Sequence, residues 1–293
     1  MPALTFVATA NAVKYCNAIP HFIDVSKNTL GIDPNFLEYY LDSIIDIENG
    51  FPINKNTRNR ISCILPVHTF GHPCEIEKIS SISKKYNIPL LEDAAESLGS
   101  FYKDKHTGSF GDAGIFSFNG NKTITTGGGG AIISNNQDFY SKAKHLTTTA
   151  KVPHKWNYIH DKVGYNYRLP NLNAALGCAQ IENLDKIVYK KRQLYKKLRI
   201  LIKDIENISL FSEPKNCRSN YWLQTLILEK PLWKHKNKLL SELNNEGIMS
   251  RPVWKLICNL KPYESCPKSE LQISVELQKS IINIPSSPNL YDY

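Results

Sequence analysis

The chain has 293 residues, 42% hydrophobic and 22% charged, a balance usual for a globular protein of one or two domains. Its opening MPALTF is not a basic segment followed by an apolar run, and no stretch approaches the ~20 apolar residues of a membrane span, so neither a signal peptide nor a membrane anchor is expected. Seven cysteines, odd in number and scattered from Cys16 to Cys266, argue for reduced thiols in a cytoplasmic protein rather than a disulfide framework.

Asp33-Pro34 is a helix start, with proline at the first helical position and Phe36, Leu37, Tyr40, Leu41, Ile44 and Ile45 as one apolar stripe. A polar loop, 48–60, follows, and then an apolar run, 61–67, that predicts a buried strand. A turn at 68–73 leads into a helix over 75–86, Asn87 breaks it, and 88–92 is the next strand. Strand, helix and strand in that order imply parallel pairing, with ligands beyond the carboxyl ends of the strands. Strands over 113–118 and 130–134 precede helices near 138–146 and 172–184. Much of the +9 net charge falls in 186–203, which contains no acidic residue; Ile187, Leu194, Leu198 and Leu201 make it an amphipathic helix with a solvated basic face. No nucleic-acid-binding module accompanies that charge, and nucleic acid is not an expected partner. Beyond 207 the pattern becomes α+β, with strands over 208–211, 221–228 and 248–253 around a helix at 232–245. The organisation expected is a large domain over 1–185, a connecting helix over 186–206 and a small domain over 207–293.

Three chemistry-bearing residues lie close together in this order: Asp93 at the end of a strand in LLEDAAESLGS, Ser117 at the end of another in GIFSFNGNK, and Lys122 in NKTITTGGGG. The spacing from Asp93 to Lys122 allows two strands to bring them to one sheet edge. Taken singly, the acid and the lysine have plainer readings, a helix cap and a solvated side chain. The four glycines 127–130 are not a phosphate loop, because Lys-Thr precedes them. Cys63, His68, His72 and Cys74 offer zinc-like residue types, but Cys-x4-His-x3-His-x-Cys is not a usual spacing and no metal site is expected.

From Phe6 onward, TFVATANAVKYCNAIPHFIDV, EDAAESLGS, GDAGIFSFNGNKTITTGGGG, GYNYRLPNLNAALGCAQ and RPVWKL, in that order, resemble the DegT/DnrJ/EryC1/StrS family of sugar aminotransferases. The wording is closest to the branch acting on 4-keto nucleotide sugars of the bacillosamine and legionaminic-acid type. The resemblance implies the fold-type I pyridoxal-phosphate fold, α/β with a mainly parallel sheet flanked by helices and a smaller α+β domain. It implies amino transfer from glutamate to a 4-keto nucleotide sugar for cell-surface glycans such as O-antigen. It assigns Lys122 to the covalent hold on pyridoxal 5′-phosphate and to proton transfer, and Asp93 to the pyridine nitrogen. Ser117 then contacts the cofactor phosphate and Phe6 stacks on the ring. Asn166 reaches the phosphate of a neighbouring subunit's cofactor, which implies a homodimer with shared sites.

Two residues depart from the family pattern. Glu96 stands where Gln or His usually faces the ring hydroxyl, and Asn119 replaces a frequent His. The resemblance also implies a segment before the Thr-Phe motif, with a small-residue phosphate loop, that is missing here, and a final helix beyond IPSSPNL. The alternatives are a non-catalytic remnant of the family, or a sugar dehydratase, which carries His in place of the lysine at 122. By placement alone, His154, Trp156, Tyr158 and Arg251 are candidate sugar contacts.

Overall fold

A computed structural model of the chain describes residues 1–292. Helix α1 (Val7–Tyr15) opens the fold. Helix α2 (Pro34–Ile44) begins as expected, where the Asp33 carboxylate accepts from the backbone N–H of Asn35 and Phe36, and it buries Leu37, Leu41 and Ile44. The expected polar loop at 48–60 is instead largely a hairpin of β1 (Ile45–Glu48) and β2 (Phe51–Asn54). Asn49 and Gly50 turn it, both at positive φ (51° and 78°), the conformation that an Asn-Gly pair favours.

Residues 61–67 bury Ile64 and Val67, but their ladder is reduced to two parallel bridges, Ile64–Leu90 and Val67–Asp93. Pro66 has no N–H to extend it. Helix α3 (Ile76–Lys85) lays Ile76, Ile79 and Ile82 into the core, and Asn87, at φ 51°, turns the chain into β3 (Leu91–Asp93). The parallel pairing implied by strand–helix–strand order is therefore present.

After the short strands β4 (Phe101–Tyr102) and β5 (Lys105–His106), β6 (Ala113–Ser117) runs parallel to β3, and β7 (Gly130–Ile133) runs antiparallel to β6. The sheet β3-β6-β7 is thus mixed, which corrects the expectation of a mainly parallel sheet. The cause is local: parallel return needs a crossover, and residues 118–129 hold only turns.

Helix α4 (Gln137–Thr147), the small hairpin β8 (Lys151–Val152) and β9 (Ile159–His160), helix α5 (Asn171–Glu182) and the long helix α6 (Leu184–Ile202) follow. The buried stripe of α6 is Val188, Lys191, Leu194 and Tyr195, whereas Leu201 is exposed. Its basic face is not wholly solvated, because the Lys191 ammonium donates to the Ser286 carbonyl in the interior.

The last third holds β10 (Ile208–Leu210), β11 (Cys217–Arg218), β12 (Gln224–Leu228), helix α7 (Lys236–Asn245), β13 (Arg251–Pro252), helix α8 (Gln272–Ser280) and β14 (Ile281–Ile284). An antiparallel sheet of order β10-β12-β14-β13 forms, with β14 as an unforeseen inner strand, while β11 pairs with β4. One core joins Ala3, Leu4, Phe22 and Phe70 to Trp222, Leu256, Ile257 and Ile281, so both ends of the chain pack together. A second core joins α2 and α3 to Ile23, Ile32, Ile64, Ile88 and Leu90. No helix among the described residues is long and apolar enough to cross a membrane.

His72 is wholly buried, between the rings of Phe211 and Tyr221, and neither ring nitrogen has a partner. Burial pushes its pKa down to about 3 from an ordinary 6.5. In the unfolded chain this imidazole takes up a proton below pH 6.5, and the folded one stays neutral down to about 3, so stability is lost as pH falls through that window. Thermal midpoints of His72→Phe should therefore hold up better than wild type between about pH 6 and 4. Parallel midpoint profiles would show that His72 carries none of the acid sensitivity.

Candidate active site

The carboxyl end of β3 and the residues after β6 bring the expected side chains together. Strand geometry sends Glu92 and Asp93 to opposite faces. Glu92 points inward and is fully buried. Its Oε1 accepts from the backbone N–H of Phe110 (2.5 Å) and Gly111 (2.8 Å), and its Oε2 from Gly108 N–H (2.8 Å) and His68 Nε2 (3.0 Å). His68 Nδ1 accepts the Cys74 backbone N–H, which directs the Nε2 proton at Glu92. The same commitment removes His68 from zinc chemistry, Cys63 bonds the Ile64 carbonyl, and no group of three metal-ligating side chains occurs among the described residues.

Asp93 faces the site. Oδ2 accepts from Thr9 Oγ1 at 2.7 Å and Oδ1 from the Ala95 N–H at 3.1 Å. Thr9 comes from α1, and Thr5 supports it at 3.2 Å. A carboxylate held from two sides in this way can meet a cationic ring nitrogen in a fixed orientation.

Lys122 lies in the loop after β6, its side chain 12% exposed, with Nζ 3.7 Å from Glu96 Oε1 and 4.2 Å from the centre of the Trp222 ring. Glu96 is buried, and its Oε2 accepts the Phe70 N–H at 2.8 Å; Phe70 supplies that N–H from the left-handed region, at φ 56°. Burial pushes the Glu96 carboxyl up to about 7, partly opposed by the Lys122 charge and the Phe70 N–H, while the nearby Asp93 charge adds to the rise. Glu96 is thus near enough to feel both the Lys122 amine and the Asp93 carboxylate.

Ser117 ends β6, its Oγ accepting the Asn119 N–H at 3.3 Å. Phe6 precedes α1, half-exposed, with its ring 6.2 Å from that of Trp254. Asn166 lies on the exposed 151–170 segment, bridged to Thr148, and none of its hydrogen bonds reaches Asp93 or Lys122. Trp156 and Tyr158 are exposed, His154 caps its own turn, and Arg251 bonds Asn244 and Ser250, so these four remain apart from the amine. A groove of about 860 Å³ beside β7 and α4 contains none of Asp93, Glu96 or Lys122. The glycine run serves backbone closeness: a Cβ on Gly130 would lie 2.3 Å from the Phe116 carbonyl oxygen.

Thr9, Asn220 and Trp222 belong to the site and were not foreseen. Asn220 Nδ2 donates to the carbonyls of Glu96 and Leu98 and to Thr123 Oγ1, fastening residues 219–222 to the segments that carry Glu96 and Lys122. Nothing in a single sequence ties SNYW at 219–222 to residues a hundred positions earlier.

An amine, an oriented carboxylate and an aromatic face gathered near one sheet edge are groups that a carbonyl cofactor could use. The model of the DegT/DnrJ/EryC1/StrS aminotransferase family matches residues 1–292, and the chain belongs to that family. It is 38% identical over 253 residues to EpsN of Bacillus subtilis (strain 168), which carries a pyridoxal phosphate-dependent aminotransferase assignment; the match spans 86% of this chain and 62% of EpsN. It is 34% identical to the GDP-perosamine synthase of Escherichia coli O157:H7, over 99% of this chain and 74% of that enzyme. Among solved structures, Helicobacter pylori PseC, an aminotransferase involved in the biosynthesis of pseudoaminic acid, superposes with a TM-score of 0.88 at 25% identity, over 99% of this chain and 74% of PseC. The family's cofactor is pyridoxal phosphate, and an amine, a carboxylate and an aromatic ring, which Lys122, Asp93 and Phe6 carry, are the kinds of group that would fit it.

A carboxyl titrating near 7 keeps its proton where the unfolded one, near 4.5, has lost it. The folded state then binds more protons between those values, and stability falls as pH rises through them. Glu96→Gln removes this titration, so its thermal midpoint should gain on wild type by a widening margin from about pH 4.5 to about pH 7.5. Calorimetry over that range checks it, and a constant margin would contradict the assignment of the raised carboxyl.

Proposed function

We propose that this chain is a pyridoxal-phosphate aminotransferase that moves an amino group from glutamate to the 4-keto carbon of a nucleotide sugar, in the assembly of cell-surface glycan such as O-antigen. The observation that carries the reading is the placement of Lys122, Glu96 and Asp93 around one sheet edge. The names of the perosamine synthase and of PseC support the substrate class.

In this reading Lys122 would hold the cofactor and, as a free amine, would take and return the proton at the substrate carbon. When bound, pyridoxal phosphate supplies the electron sink that makes that carbon acidic. Asp93 keeps the ring nitrogen protonated, with Thr9 and Ala95 fixing its two oxygens. Glu96 faces the ring hydroxyl and, with a proton available near neutrality, can donate to it rather than repel it. Ser117 receives the phosphate, and Phe6 covers one ring face.

The rest of the reading concerns assembly. We infer a cytoplasmic homodimer in which Asn166 contributes to the neighbouring subunit's site. The exposed Trp156, Val163, Tyr165 and Tyr167 on the same segment favour a partner surface there. Residues 1–185 form the large domain, 186–206 the connecting helix and 207–293 the small domain.

Purified protein with pyridoxal phosphate should develop the visible absorption band of a lysine-bound cofactor, and Lys122→Ala should abolish it. Asp93→Asn should retain a band but lower turnover by roughly 10²–10³, the scale of losing one preorganised electrostatic contact. An unchanged band in Lys122→Ala would reject the assignment.

A further inference from the structure

Trp222 is 6% exposed and lies outside every segment that carries the family resemblance. It reaches the site from the far end of the chain and makes two contacts with one short loop. Its ring centre is 4.2 Å from Lys122 Nζ, and its indole N–H donates to the Asn121 carbonyl at 2.7 Å. The first contact acts on the tip of the lysine and the second on the peptide unit from which that lysine springs. Few side chains can brace both ends of a long flexible neighbour.

The brace is itself fixed. The Trp222 backbone N–H donates to Asn220 Oδ1 at 2.8 Å, while Asn220 Nδ2 holds the carbonyls of Glu96 and Leu98. Asn220 fits only because residue 71 is glycine: a Cβ there would lie 1.8 Å from Asn220 Oδ1, and Gly71 is at φ 90°. The groups against Lys122 are therefore Glu96 at 3.7 Å and the Trp222 face, and Asp93 in turn acts on Glu96.

We propose that Trp222 is a positioning residue for Lys122, its indole face holding the ammonium on the Glu96 side and its N–H fixing the Asn121 peptide so that the amine points into the site. An electron-rich ring favours the charged amine, and more so when water is excluded. Lysine has four rotatable side-chain bonds, and in this arrangement the indole and Glu96 select one direction for it. The proposal rests on Lys122 being the cofactor-holding amine.

Competitive acetylation of the cofactor-free protein across pH, read at Lys122 by mass spectrometry, tests it. The labelling midpoint should fall by roughly 0.5–1 pH unit in Trp222→Leu, the scale of a partly desolvated cation–π contact. Trp222→Phe should give a smaller fall, since it keeps an aromatic face and loses the N–H. A packing role alone would lower thermal stability and leave both midpoints where they are. An unmoved midpoint in Trp222→Leu, or equal shifts in the two variants, overturns the proposal. Where Trp222→Leu does not fold, the Phe variant decides: a fall supports the role and no fall removes it. Because no cofactor is present, the outcomes are separable: a wild-type protein without a visible band sinks the cofactor reading, whereas an unmoved midpoint sinks the role of Trp222.

Discussion

Four donors converge on the Glu92 carboxylate, three of them backbone N–H groups of residues 108–111 and the fourth the ring of His68. A buried charge is tolerable only when its oxygens are fully engaged, and this one is. The consequence is geometric. Glu92 locks β3 to the turn at 68–74 on one side and to the loop before β6 on the other. With Glu92 committed inward, strand alternation leaves Asp93 facing the opposite way, at the carboxyl edge where Thr9 and Ala95 take hold of it. The Asp93 carboxylate is aimed by its neighbour.

The amine follows from a different economy of charge. Lys191 and Lys236 are also buried, and burial lowers both to about 8. Each spends its ammonium on a backbone carbonyl, of Ser286 and of Gln278 respectively. Ease of deprotonation alone would therefore favour the wrong lysines. Lys122 differs in company: a carboxyl poised near neutrality on one side and an indole face on the other. Neighbouring groups, rather than burial, set it apart from the other two lysines.

Much of this was legible in the sequence because the relevant signals are local. Asp33-Pro34, the Ile76, Ile79 and Ile82 period and Asn87 each act within one turn of chain, and the structure follows them. Asn49-Gly50 was equally local, and the hairpin it makes was readable. The sheet's mixed direction was not, since direction depends on what residues 118–129 do rather than on the strands they join. Long-range partners were hidden for the same reason. Thr9 meets Asp93 across 84 positions, and Asn220 meets Glu96 across 124. Lys191 reads as one more solvated cation in a basic run, and only the tertiary packing of α6 buries it.

The account stands or falls on which amine takes the cofactor. Borohydride reduction of the pyridoxal-phosphate-loaded protein, followed by peptide mapping, fixes the cofactor to its lysine permanently. The added mass belongs on Lys122 in this account. Its appearance on Lys191, Lys236 or a scatter of surface lysines instead would contradict it.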